Sequence, residues 1–81
     1  MEGKTDLYDV GEVKKGLIST TLKEVFEALK ERGYDPVNQI VGYLISGDPG
    51  YISNYKGSRS KILEFDRSEI TALLLEEYLN K

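Results

Sequence analysis

The 81-residue chain contains no cysteine and no histidine. Without cysteine it can form neither a disulfide nor a thiolate metal site. Without histidine it lacks the commonest metal ligand and the usual general base near neutral pH. Both Cys-His and Ser-His nucleophile pairs are therefore excluded. We expect a protein that is not an enzyme and that binds neither a metal nor a cofactor.

Long apolar runs are also missing. No stretch approaches the roughly 18 apolar residues that suggest a membrane span, and the N-terminal segment MEGKTDLYDV lacks the apolar core of a signal peptide. We therefore expect no membrane insertion and a cytoplasmic protein. The 14 acidic residues outnumber the 11 basic ones, giving a net charge of -3. This balance argues against a nucleic-acid partner, because binding to phosphate backbones depends on clustered Lys and Arg.

The chain is short enough to make self-association attractive. A single domain of this size buries only about 60% of the surface that its unfolded chain exposes, so its own core would be marginal. Burying more apolar surface between two copies is a natural remedy. We therefore expect a homodimer.

The clearest local pattern lies between residues 33 and 49. Gly33 is suited to end one helix in the left-handed conformation, and Asp35-Pro36 supplies a cap and a first residue for the next helix. Apolar residues then recur at helical spacing until Gly47-Asp48-Pro49 repeats the stop signal; they are Val37, Ile40, Val41, Leu44 and Ile45. The pattern predicts a central helix of about three turns.

Capping boxes predict two further helices. Thr21 with Glu24 would begin a helix that ends near Arg32, and Asp66 with Glu69 would begin a last helix that runs to about Leu79. Short helical segments would lie between Pro49 and Phe65. No strand pattern competes, so we predict an all-α fold, a compact bundle of about four to five short helices. Residues 1–18 show no sustained period and are predicted to form a flexible arm, and residues 19–81 a single helical domain.

Two small residues lie on one face of the central helix. Gly42 costs a helix interior roughly 1 kcal/mol relative to alanine, and Ser46 follows one turn later. The pair suggests that another backbone passes close to this face, as in close helix packing or a dimer interface. The alternative is a glycine that is simply tolerated.

Four of the basic residues fall within 12 positions: Lys56, Arg59, Lys61 and Arg67. As helix-surface charge they need no function. As a binding surface, the planar fork of arginine suits bidentate capture of a phosphate or carboxylate, so Arg59 and Arg67 are the leading candidates to receive an anionic group. The stretch thus offers a partner- or phosphate-binding site.

The segment GYDPVNQIVGYLISGDPGYI, residues 33–52, resembles the IreB/ReoM family of small regulatory proteins of Gram-positive bacteria. The resemblance continues more loosely to the C-terminus, through Arg59, Ile62, Asp66, Arg67, Glu69, Ile70, Tyr78 and Leu79. It also reaches Thr5 near the N-terminus. Asn54 and Leu63 stand where family members usually carry arginine, and Lys56 and Lys61 partly compensate for that loss.

The resemblance implies a function for Thr5. Family members are phosphorylated on an N-terminal threonine by a membrane-bound PASTA-domain Ser/Thr kinase, and Thr5 lies within one residue of the matching distance from Gly33. The family controls cell-wall synthesis and envelope stress resistance through regulatory protein partners linked to Clp-type proteolysis. A phosphate on Thr5 would act by redirecting the arm or blocking a partner surface.

Two other classes of function remain open. The chain could be a structural or antitoxin-like helical binding module without a phosphoswitch, which an unaltered Thr5 in cells with active kinase would favour. It could also be a small enzyme that uses carboxylates and tyrosines, although no nucleophile-base pair is visible. A deep pocket with converging acids would favour the enzyme.

Overall fold

The computed structural model describes residues 10–80, which fold into helices and turns with no strand among them. Four α-helices are present in this range: α1 (Val10–Glu31), α2 (Pro36–Ser46), α3 (Ser58–Ile62) and α4 (Arg67–Leu79). Two 3₁₀ turns, Pro49–Tyr51 and Tyr55–Gly57, connect α2 to α3. The predicted all-α class is confirmed. None of these helices is long and apolar enough to cross a bilayer.

Helix α1 begins at Val10, eleven residues before Thr21, where the sequence predicted its start. The prediction placed residues 10–18 in a flexible arm, but they are helical and continuous with the rest of α1. Thr21 and Glu24 therefore lie inside the helix, so the capping box predicted for them is wrong. With 22 residues α1 is about 33 Å long. The remainder of the predicted arm, residues 1–9, lies outside the described part of the chain.

The ends of α2 follow the predicted chemistry. Asp35 is the N-cap, and its Oδ1 accepts from the backbone N–H of Asn38 at 3.2 Å. Pro36 occupies the first helical position. At the other end Gly47 adopts the left-handed conformation with φ of 77°, and its N–H donates to the carbonyl of Tyr43 at 2.7 Å. Local sequence alone thus determines where α2 begins and ends.

The predicted capping box of α4 is present. The carboxylate of Glu69 accepts from the backbone N–H of Asp66 at 3.2 Å, which fixes the first turn of α4 against Asp66. On this helix Ile70 and Leu73 are buried, whereas Tyr78 is largely exposed. The core therefore uses only part of the apolar surface of α4.

One core holds the helices together. Its buried side chains come from α1, α2, α4 and the segment between α2 and α4, and they are Ile18, Val25, Leu29, Tyr43, Ile52, Ile62, Ile70 and Leu73. Leu29, Ile52 and Ile62 are fully enclosed. Because α1 supplies three of these residues, it acts as the scaffold on which the other helices pack.

Candidate functional site

An apolar groove of about 440 Å³ opens to solvent between α1, α2 and α4. Seven apolar side chains line it: Leu22 and Phe26 from α1, Val37, Ile40, Val41 and Leu44 from α2, and Leu74 from α4. Lys23 and Glu27 of α1 stand at its edge. A concave surface with a mainly apolar lining is suited to bind an apolar surface or ligand.

A ridge of exposed apolar side chains runs along α2 beside this groove. Val37, Val41 and Ile45 repeat every four residues, so they stand in one row. They are 60%, 45% and 79% exposed, respectively. Three aliphatic side chains left in water next to an apolar groove mark an interaction surface. These three of the five apolar residues predicted for α2 are thus turned away from the core.

The four basic residues of the predicted binding site contact different partners, although Lys56 and Lys61 line one surface pocket together. Lys56 Nζ pairs with Glu31 Oε1 at 3.1 Å, and Lys61 Nζ pairs with Glu24 Oε1 at 3.2 Å. Both lysines therefore attach the segment after α2 to α1. The pKa of Lys56 is raised by its hydrogen bond to Glu31 and by the negative charge of that carboxylate. The pKa of Glu31 is lowered by the hydrogen bonds that it accepts from Lys56 and Tyr55.

The two arginines bind backbone carbonyls. Arg59 Nε donates to the carbonyl of Ile52 at 2.9 Å, in a partly buried position. Arg67 Nη1 donates to the carbonyl of Leu44 at 3.1 Å, in the last turn of α2, where the helix dipole favours a positive charge. Its guanidinium also lies so close to Gly47 that an added Cβ would be 2.8 Å from Cζ. Both arginines therefore make hydrogen bonds that support the fold. Capture of an anion by either arginine stays a prediction.

The close approach predicted at Gly42 comes from a ring and not from a backbone. A Cβ on Gly42 would be 2.5 Å from two ring atoms of Tyr51, so the ring covers the space that a side chain would need. Ser46 Oγ donates to the carbonyl of Gly42 at 2.7 Å and accepts from the N–H of Asp48 at 3.0 Å. Both residues therefore shape the end of α2 within one subunit. Their assignment to a dimer interface stays a prediction.

A pair of alanine substitutions tests what the Tyr51 ring does to Gly42. Gly16, inside α1, has no atom within 4 Å of an added Cβ. Gly16→Ala is therefore expected to stabilise the protein by up to about 1 kcal/mol. Gly42→Ala should lack that gain, because the ring must move. Thermal unfolding would measure both, and Gly42→Ala in a Tyr51→Ala background should recover the gain. Equal stabilisation by the two single substitutions would contradict a steric role for the ring.

A second group of ion pairs, which the sequence patterns did not reveal, joins the beginning of α1 to α4. Lys14 Nζ is 2.7 Å from Glu69 Oε2, and Lys15 Nζ is 3.2 Å from Glu76 Oε1 and 3.4 Å from Glu12 Oε2. Lys14 and Glu69 share a hydrogen bond and carry opposite charges. Both effects raise the pKa of the lysine and lower the pKa of the glutamate. Of these pairs, only Lys15 with Glu12, three residues apart in α1, has a spacing that the sequence could show.

Thr5, the predicted phosphorylation site, lies outside the described residues. The sequence around it, KTDLYD, follows directly into α1, so any group on Thr5 is tethered to the beginning of that helix. The described site thus consists of an apolar groove and its α2 ridge. Ion pairs elsewhere join α1 to α4 and to the segment after α2.

These features fit a protein that acts by contact. A family model described as IreB regulatory phosphoprotein matches residues 3–80 of the chain, which is nearly its whole length and includes Thr5. The match also spans the capped α2 and the basic residues between α2 and α4. The chain therefore belongs to the IreB family of regulatory phosphoproteins.

Proposed function

We propose that this protein is a non-enzymatic cytoplasmic regulator whose Thr5 is phosphorylated by a PASTA-domain Ser/Thr kinase. In this proposal it controls cell-wall synthesis and envelope stress resistance through contacts with regulatory proteins linked to Clp-type proteolysis. The match to a regulatory phosphoprotein family over residues 3–80 carries the proposal. The apolar groove supports it, since its lining offers surface for protein contacts rather than for catalysis.

We select Thr5 as the kinase substrate because the other three threonines lie inside helices. Thr20 and Thr21 lie inside α1, and Thr71 lies inside α4, where its Oγ1 donates to the carbonyl of Arg67 at 2.8 Å. A kinase would have to unfold a helix turn to bind any of these three in an extended conformation. Thr5 precedes the described helices and is the remaining threonine of the chain.

Incubation with a PASTA-domain kinase and ATP, followed by mass spectrometry, tests the site. We expect one phosphate on the wild-type protein and none on Thr5→Ala. A Thr71→Ala protein serves as the matched control and should be modified as well as wild type. Undiminished modification of Thr5→Ala would show that another residue is the substrate.

The proposal includes a homodimer formed through the groove. In a two-fold interface the same patch meets itself, so a ridge beside a groove is well suited to self-association. Each α2 ridge, with Val37, Val41 and Ile45, would enter the groove of the other copy. This arrangement would cover apolar surface that one subunit leaves in water.

The second candidate function is a helical binding module without a phosphoswitch. The groove supports this second function as much as it supports the regulator, because an apolar lining can bind any protein partner with an apolar surface. The two candidates differ only in whether a phosphate on Thr5 changes partner binding. A pull-down with unmodified and with phosphorylated protein separates them, since a plain binding module would capture the same partners in both states.

A further inference from the structure

Two adjacent lysines lie within the first two turns of α1. Lys14 and Lys15 are four and five residues after Val10, the first residue of the helix. Their side chains are 49% and 44% exposed. Four acidic groups face the two ammonium groups: Glu12, Asp66, Glu69 and Glu76. The lysines thus balance part of a concentrated negative charge.

A phosphate on Thr5 would be within reach of both lysines. The five residues from Thr5 to Val10 span at most about 17 Å, and Lys14 is only about 6 Å along the helix from Val10. Lys30, near the other end of α1, is about 30 Å from Val10. The tether therefore favours the cations at the beginning of α1 over those at its far end.

A phosphate would also compete well for these ammonium groups. It carries about -1.5 to -2 charges and three acceptor oxygens, whereas each glutamate carries one charge. Because it is attached through a short linker, its effective concentration at the lysines is in the millimolar range. Both lysines are half exposed, so changing their partner requires no opening of the core.

We propose that Lys14 and Lys15 form the binding site for the phosphate on Thr5, and that this phosphate displaces Glu69 and Glu76 from them. The inference rests on the proposed function in taking Thr5 as the modified residue. It adds the two lysines as the groups that bind the phosphate, and it adds the loss of their ion pairs with Glu69 and Glu76.

The exchange would change the surface where α1 meets α4. In the unmodified protein the ion pairs stand over a shallow apolar site whose walls include Ile18, Ala72 and Leu73. After phosphorylation Glu69 and Glu76 would face solvent without their lysines, and the arm would lie across the same surface. A partner that recognises this face in one state would thus meet a different charge pattern in the other.

Titration of the phosphate tests the site. Phosphothreonine is installed at position 5 during translation, and the phosphate is titrated by ³¹P NMR. We expect its second pKa, about 6 in an exposed chain, to be lower by roughly half a unit than in a peptide of residues 1–9. Lys14→Gln with Lys15→Gln should abolish this shift. Lys30→Gln with Arg32→Gln removes the same charge at the far end of α1 and should preserve it.

The carboxylate of Glu69 provides a second readout. Its pKa, lowered by Lys14 in the unmodified protein, should rise toward the ordinary value when position 5 carries phosphothreonine. A phosphate pKa that is equal in the peptide and in all three proteins, or a Glu69 pKa that does not respond, would overturn the inference. Because the phosphate is built in without a kinase, a kinase that ignores Thr5 would refute the proposed function alone.

Discussion

Val41→Glu is expected to convert the proposed homodimer into a folded monomer. Val41 lies in the middle of the α2 ridge and lines the groove. Burying a valine contributes about 1.5 to 3 kcal/mol, and a two-fold interface contains the residue twice. A glutamate there would also have to be desolvated. We therefore expect the dimer dissociation constant to rise at least about 100-fold, measured by sedimentation equilibrium against the monomer mass of 9.2 kDa.

Val13→Glu is the matched control for this prediction. Val13 is 46% exposed and Val41 is 45% exposed, and both are helical valines. Val13 is not among the residues that line the groove. The substitution should leave the association unchanged, and circular dichroism should show both variants folded. Dissociation by Val13→Glu together with an intact Val41→Glu dimer would place the interface on the outer side of α1.

Helix α2 could be predicted from the sequence because its determinants are local. Asp35, Pro36 and Gly47 each act on backbone groups within a few residues. Their identity and spacing are therefore enough to predict where α2 begins and ends. The same holds for Asp66 and Glu69 at the beginning of α4. What these patterns could not show is which apolar face of α2 meets the core, because Tyr43 is buried while Val41 is half exposed.

The beginning of α1 was missed because its stabilisation is not local. Gly11 and Gly16 weaken the helical signal. Val10, Val13 and Leu17 do recur at helical spacing, but Val13 and Leu17 are exposed, so the core does not use this stripe. The first buried core residue of α1 is Ile18. Ion pairs to residues of α4 that lie 55 and 61 positions away in sequence join the preceding turns to the fold. Ion pairs between residues so far apart in the chain produce no periodic pattern in a single sequence.

The basic residues illustrate a related limit of sequence reasoning. Their composition indicated a shared anion site, but Arg67 contacts a carbonyl 23 positions away, and Lys56 contacts a carboxylate 25 positions away. A side chain that reaches a distant backbone group and one that faces solvent look the same in sequence. The four residues therefore need to be separated by experiment into those that support the fold and those that remain available to a partner.

Replacing both arginines with alanine is expected to destabilise the protein by about 1 to 4 kcal/mol. Arg59→Ala leaves the carbonyl of Ile52 without the charged donor it has in a partly buried position, a loss worth about 1 to 3 kcal/mol. Arg67→Ala removes the cation at the C-terminal end of α2, worth about 0.3 to 1 kcal/mol or more. Urea unfolding of Arg59→Ala with Arg67→Ala would measure the sum.

Lys56→Ala with Lys61→Ala removes the same charge from the same stretch and is the control. These lysines make exposed ion pairs with Glu31 and Glu24, which contribute little in water, so the unfolding midpoint should stay close to wild type. Equal midpoints for the two double variants would show that the arginine-carbonyl bonds do not support the fold. If they differ as expected, loss of partner binding in the arginine variant has a structural explanation, and only the lysine variant tests the basic stretch as a binding surface.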